Sequence, residues 1–157
     1  MKKKILKPRK TGEQRRRNHR VSVEKRIKKY IKDGSKGNLD LCGSPVEKLP
    51  DNLQVGDSLF LNNTPIKEWP DNLQVGGVLS LRNTPIKELP DNLQVGGGLF
   101  LRNTPIKELP DNLKVGGSLY LTKTQLSKKY SKEEIRNMIE KKGGFIKKYI
   151  FLWKNKY

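Results

Sequence analysis

One cysteine, one histidine and no long apolar run mark this 157-residue chain. A lone cysteine, Cys42, forms no internal disulfide, which fits a reducing compartment. It also has no histidine beside it to take its proton, because His19 lies in a strongly basic N-terminal segment. Zinc needs about four convergent Cys, His or acidic ligands, and no such spacing occurs. Asp51, Asp71, Asp91 and Asp111 recur every 20 residues, but each follows a proline in a turn, so turn chemistry accounts for them. Glycine-rich stretches such as Val95–Leu99 match no phosphate-binding loop. No catalytic residue, cofactor or metal is therefore expected. No apolar stretch approaches the ~20 residues that a membrane-crossing helix needs. The opening MKKKILKPRK begins like a signal peptide, but Ile5-Leu6 is too short for its hydrophobic region. An intracellular, cytoplasmic protein without a membrane partner is the expectation.

What is abundant is positive charge, and it is unevenly placed. The net charge is +18. Residues 1–36 carry 16 Lys and Arg against 3 acids, residues 37–121 carry 7 against 10, and residues 122–157 carry 11 against 3. A mildly acidic middle is flanked by two basic ends, which repel each other and attract an acidic partner.

The middle is repetitive. Its clearest unit is LPDNLQVGGGLFLRNTPIKE, from Leu89 to Glu108, and units opening at Leu49, Trp69, Leu89 and Leu109 follow at a spacing of 20 with no insertion. Leu99 and Leu101 alternate with Phe100, the pattern of a short half-buried strand, and Leu39/Leu41, Leu59/Leu61, Leu79/Leu81 and Leu119/Leu121 repeat it. A fixed period of this length predicts a solenoid whose strands stack in parallel. Pro105 and Pro110 keep the return path from becoming a helix, Leu-Pro-Asp-Asn suits a tight turn, and Gly96-Gly97 let the chain swing into the next strand. Val95, Leu99, Leu101, Ile106, Leu109 and Leu113 should point inward and be covered by neighbouring repeats.

Residues 38–126 resemble a leucine-rich repeat, on Leu99, Leu101, Thr104 and Ile106 as its core motif and on Leu109-Pro110 with Leu113 as the LP step of its short bacterial subtype. The resemblance implies a solenoid that binds other proteins. Ser44, Thr64, Thr84, Thr104 and Thr124 stand where that family carries a ladder-forming Asn; a hydroxyl can bond nearby backbone instead, or Asn63, Asn83 and Asn103 can share the task. Near-identical repeats of this kind are also similar to those of bacteriophage and large-virus proteins.

Taken in order, the chain divides into a basic arm (1–20) expected to be disordered, an N-terminal capping helix (21–36), the solenoid (37–126) and a C-terminal cap of helix plus strand (127–157). The fold class is an α+β repeat with a parallel sheet of five to six short strands. The first helix is expected over 22–33, capped by Ser22, with Val23, Ile27, Tyr30 and Ile31 on one face. Trp69 replaces a core leucine and reads as a packing variant. After Leu126 the period breaks. Ser131 to Glu134 form a capping-box pattern for a helix over 132–142, and a sixth strand is expected over 145–153, a helix over 145–154 being the alternative.

Strand alternation predicts an outward column of Asp40, Phe60, Ser80, Phe100 and Tyr120 beside Cys42, Asn62, Arg82, Arg102 and Thr122, with Phe151 and Trp153 extending the aromatic row. Phe60, Arg82, Phe100, Arg102 and Tyr120 are the candidate protein contacts on this concave face, since aromatic residues and Arg are enriched in interfaces. Columns of Lys67, Lys87, Lys107 and Glu68, Glu88, Glu108 read as a solvated back face. The expected function is a non-enzymatic scaffold, monomeric when free, that binds a protein. The alternatives are RNA or DNA binding by Arg9, Lys10, Arg15, Arg16, Arg17, Arg20 and the C-terminal lysines, or a structural role in a viral particle.

Overall fold

The structure, a computed structural model, describes residues 11–152. Its body is a parallel-strand solenoid in which each 20-residue turn contributes two strands of two residues. One sheet has six strands: β1 (Leu39–Asp40), β3 (Leu59–Phe60), β5 (Leu79–Ser80), β7 (Leu99–Phe100), β9 (Leu119–Tyr120) and β11 (Ile150–Phe151). The other has five: β2 (Gln54–Val55), β4 (Gln74–Val75), β6 (Gln94–Val95), β8 (Lys114–Val115) and β10 (Phe145–Ile146). Register follows the sequence period, with Leu59 beside Leu79, Leu79 beside Leu99, and Leu99 beside Leu119. The second sheet is an addition to the expected one-strand repeat. Gly96-Gly97 do turn the chain, but the Gln94-Val95 pair before them hydrogen-bonds to the neighbouring turns.

The six inward side chains of the Leu89 unit are all buried, as are their counterparts at Leu39, Leu59, Leu79 and Leu119, in one continuous core. Close stacking explains the glycines at one position. A Cβ built on Gly96 would lie 2.0 Å from the Gly76 carbonyl oxygen, and one on Gly76 would lie 2.1 Å from that of Gly56. No side chain fits where backbone passes so close to backbone. Trp69 is partly buried against the core, and its Nε1–H donates to the Glu88 carbonyl of the next turn at 2.7 Å.

The turns carry their own hydrogen-bond columns. Thr64, Thr84, Thr104 and Thr124 each donate a hydroxyl to the carbonyl three residues earlier, at 2.7 to 2.8 Å. Asn103 donates its carboxamide to Asn83, and Asn83 to Asn63, at 2.9 to 3.0 Å. Both expected hydrogen-bonding arrangements are thus in use, the hydroxyl for local backbone and the neighbouring Asn for a ladder. These asparagines also sit at φ near 56°, the left-handed region that Asn tolerates best after Gly. A second ladder, with Asn72 donating to Asn52 and Asn112 to Asn92, runs along the Pro-Asp-Asn turns.

Helices close both ends. Helix α1 spans Gly12–Lys32 and is capped by Thr11, whose hydroxyl accepts from the Gln14 backbone while Gln14 accepts from that of Thr11. It therefore begins ten residues before the expected Ser22 and takes in 12–20, expected to be disordered; Thr11-Gly-Glu-Gln14 is itself a capping-box signal, overlooked amid the charge. Val23 and Ile27 are buried under it and Tyr30 packs beside them, but Ile31 is 45% exposed, contrary to the expected face. The Tyr30 hydroxyl accepts from the Gly56 N–H at 3.2 Å, and an Arg26 guanidinium N–H donates to the Asp40 carbonyl at 3.0 Å, so both edges of the first turn are met by α1.

At the other end Thr124, with no second proline after it, caps a short unexpected helix, α2 (Gln125–Lys129). Helix α3 (Lys132–Lys141) follows where Ser131 and Glu134 predict it. The last described segment is strand, in two pieces that extend both sheets. Arg136 of α3 donates to the Ile146 and Lys148 carbonyls, each at 3.0 Å, and so covers the end of the five-stranded sheet. No helix among the described residues is long and apolar enough to cross a membrane.

Candidate interaction face

Phe60, Phe100 and Tyr120 lie on the outward side of the six-stranded sheet, with Arg82 and Arg102 two residues past the strands β5 and β7. Parallel pairing in exact 20-residue register brings Phe100 and Tyr120 onto adjacent strands. Their rings stack with centroids 4.1 Å apart and planes within 6°. Phe151 continues the stack, 4.6 Å from Tyr120, because β11 restores the outward aromatic position after the repeat itself has ended. Tyr149 meets Phe151 edge to face at 6.2 Å. Trp153, expected to prolong the row, lies outside the described residues.

The row breaks at Ser80. Its side chain, expected to point outward into solvent, is buried, and its hydroxyl donates to the Asn62 Oδ1 at 2.6 Å. The guanidinium of Arg82 instead covers Phe100, 4.6 Å from the ring centroid. Arg82 is exposed, and a cation over an aromatic face at such a site is worth about 0.5–1 kcal/mol. The stack therefore runs Arg82, Phe100, Tyr120, Phe151, with both faces of Phe100 and of Tyr120 taken up within it. Phe60 stands apart from it, beyond Ser80.

Arg82 and Arg102 also line a groove of about 450 Å³ with Lys123 and the asparagines of the ladder. The Asn63–Asn83–Asn103 ladder ends where position 123 becomes Lys, which keeps the left-handed backbone at φ 60°. Neither arginine nor Lys123 takes part in any ion pair seen among the described residues.

The basic N-terminal candidates are separate from this face. Arg15, Arg16, Arg17 and Arg20 are exposed on α1, and Arg20 is engaged by Glu47 at 2.6 Å. Arg9 and Lys10 lie outside the described residues. His19 is exposed on the same helix. Cys42 is an exposed thiol whose pKa is raised, first by partial desolvation and then by its hydrogen bond with Asp40. Asp40 is lowered, chiefly by accepting the Cys42 backbone N–H at 2.9 Å. The repeated aspartates serve the turns, with Asp51 accepting the N–H of Asp71 and Asp91 that of Asp111. Among the described residues no three His, Cys, Asp or Glu side chains converge.

One surface escaped the sequence reading. The outward side of the five-stranded sheet forms a groove of about 930 Å³ along Gln54, Gln74, Gln94 and Lys114, between the Pro-Asp-Asn turns and the glycines. The polar–apolar pair Gln-Val, repeated at the period of 20, was its signal. Comparison of the chain with protein-family models, with curated proteins and with solved structures finds no match.

Proposed function

We propose that this solenoid is a leucine-rich-repeat scaffold, without enzymatic activity, that binds a protein through the outward face of its six-stranded sheet. The observation that carries the reading is the ordered row Arg82, Phe100, Tyr120, Phe151 with the unpaired Arg102 beside it. Rigid aromatic groups held in place before binding lose little side-chain entropy on contact, and Tyr and Arg dominate the energetics of protein interfaces. Ring edges and guanidinium groups are what a protein surface can meet here. Stacked bases need open ring faces, and those of Phe100 and Tyr120 are taken up within the row.

Affinity capture from native lysate, with and without nuclease, tests the reading. A nuclease-resistant protein partner that is lost on Phe60→Ala with Phe100→Ala supports it. Capture that is abolished by nuclease, or untouched by that double substitution, overturns it. A second reading, binding of RNA or DNA, is favoured by one feature: Arg15, Arg16 and Arg17 project from the half of α1 that carries no buried residue. A phosphate-binding helix would give a steep fall of log affinity with log salt, removed by neutralising those three residues.

A further inference from the structure

The repeat balances its charges on the back face and leaves them unbalanced in the Arg82 groove. Lys67, Lys87 and Lys107 stand next to Glu68, Glu88 and Glu108. Arg82, Arg102 and Lys123, on three successive turns, line a groove to which no Asp or Glu contributes. Arg82 and Arg102 hold the same position on adjacent turns, about 4.8 Å apart, and Lys123 lies one residue past that position on the next, with no acid lining the groove between them. The remaining lining is asparagine. Asn103 and Asn83 each use one Nδ2–H on the neighbouring carboxamide, Asn83 and Asn63 in turn, which leaves the second N–H of each as a further donor. The groove thus offers two guanidinium groups, an ammonium and carboxamide N–H donors.

We propose that this groove is the subsite for an acidic segment of the partner protein, an extended stretch whose Asp or Glu carboxylates bind Arg82, Arg102 and Lys123. The proposal rests on the protein-binding reading above and names the chemistry of what is bound. Three features select this occupant. The cations are two guanidinium groups and an ammonium without acids, and a guanidinium fork matches a carboxylate. The groove covers four turns and its cations three, a length on the order of 10–15 Å, enough for a few residues of extended chain and too short for a nucleic-acid duplex. In the aromatic row beside it the faces of Phe100 and Tyr120 are already stacked, which suits contact with a peptide's side chains better than stacking of successive bases. Carboxylates entering the groove also relieve the repulsion between the stacked cations, so binding and stability are coupled.

The test uses the full chain and a fluorescein-labelled decaglutamate, with binding followed by anisotropy. Because a basic protein attracts any polyanion, two variants of equal charge loss are compared. The groove variant is Arg82→Gln, Arg102→Gln, Lys123→Asn, the last chosen because Asn suits the left-handed backbone there. The control is Lys25→Gln, Lys28→Gln, Lys32→Gln on α1. The groove variant should bind about tenfold or more weakly, and the control within about twofold of the parent. Arg102→Gln with Lys123→Asn, which keeps the Arg82–Phe100 contact, should fall between, and decaglutamate should raise the melting temperature of the parent more than that of the groove variant. Equal weakening in both triple variants overturns the proposal, since it would show attraction by the general field alone. So does a decauridylate that outcompetes decaglutamate and depends on the same three residues. If decaglutamate ignores the groove while capture of a protein still fails on Phe60→Ala with Phe100→Ala, the acidic segment is wrong and the scaffold reading stands.

Discussion

Arg20 of α1 donates to the Glu47 carboxylate at 2.6 Å, across the junction between the helix and the first turn of the solenoid. The first turn makes this possible by reversing the order of the repeat. Positions 47 and 48 read Glu-Lys, where 67–68, 87–88 and 107–108 read Lys-Glu. Had the order been kept, a lysine would face Arg20. Restoring it with Glu47→Lys should therefore loosen the first half of α1. Both side chains are more than half exposed, so global stability should change by no more than about 1 kcal/mol. The measurement is hydrogen exchange at residues 12–20, which should quicken in the variant while the core leucines keep their protection. Unchanged exchange in that stretch would mean that the pair does not hold the helix.

How much of this was legible in the sequence depends on which force fixed each feature. The parallel stacking of Leu59, Leu79 and Leu99 follows from an apolar pattern at constant period, and was readable. So was the strand at 150–151, because Ile150-Phe151-Leu152 repeats the inward–outward alternation of Leu99-Phe100-Leu101. The second sheet was harder, since Gln94-Val95 holds one apolar residue and its pairing comes from backbone hydrogen bonds to neighbouring turns. Ser80 and Arg82 were assigned to the right face, but no periodicity shows that a small residue at 80 lets the guanidinium of 82 cover Phe100. The early start of α1 is marked by the Thr11–Gln14 capping box, a signal that the charge density of 1–20 masks.

The glycine column gives a test of how closely the turns approach. Gly96→Ala would set a Cβ 2.0 Å from the Gly76 carbonyl oxygen, where the nearest atoms are all Gly76 backbone and no flexible side chain can move aside. The neighbouring turns must separate, at a cost of about 1–3 kcal/mol. Gly12→Ala is the counterpart, because nothing lies within 4 Å of that position and it falls inside a helix, where Ala is favoured over Gly by roughly 0.5–1 kcal/mol. Urea unfolding should show a lowered midpoint for the first variant and none for the second.

Cys42 reports on the edge of the first turn through its reactivity. Desolvation raises its pKa and Asp40 raises it further, so the thiol is protonated near neutral pH and should react slowly with a disulfide reagent such as DTNB. A plot of rate against pH should rise at higher pH than for an unperturbed thiol. Asp40→Asn removes the carboxylate that opposes thiolate formation, so the midpoint should move down, part of the way back, with faster labelling at a given pH. A midpoint that stays in place would show that desolvation alone sets the reactivity.

Ser44 and Thr104 occupy the same position of the repeat and should respond oppositely to losing their hydroxyls. Thr104 is buried and donates to the Leu101 carbonyl at 2.8 Å, closing the turn that follows its strand. Thr104→Val keeps the shape and removes the donor, leaving a buried carbonyl short of a partner, so it should cost about 1–3 kcal/mol. Ser44 is also buried, but its Oγ has no hydrogen-bond partner. A polar atom already desolvated without compensation lowers stability, so Ser44→Ala should be neutral or stabilising. Chemical denaturation of the two single variants measures both effects on one scale. Equal destabilisation would show that the Ser44 hydroxyl finds a partner in solution, and that the first turn is closed in the same way as the others.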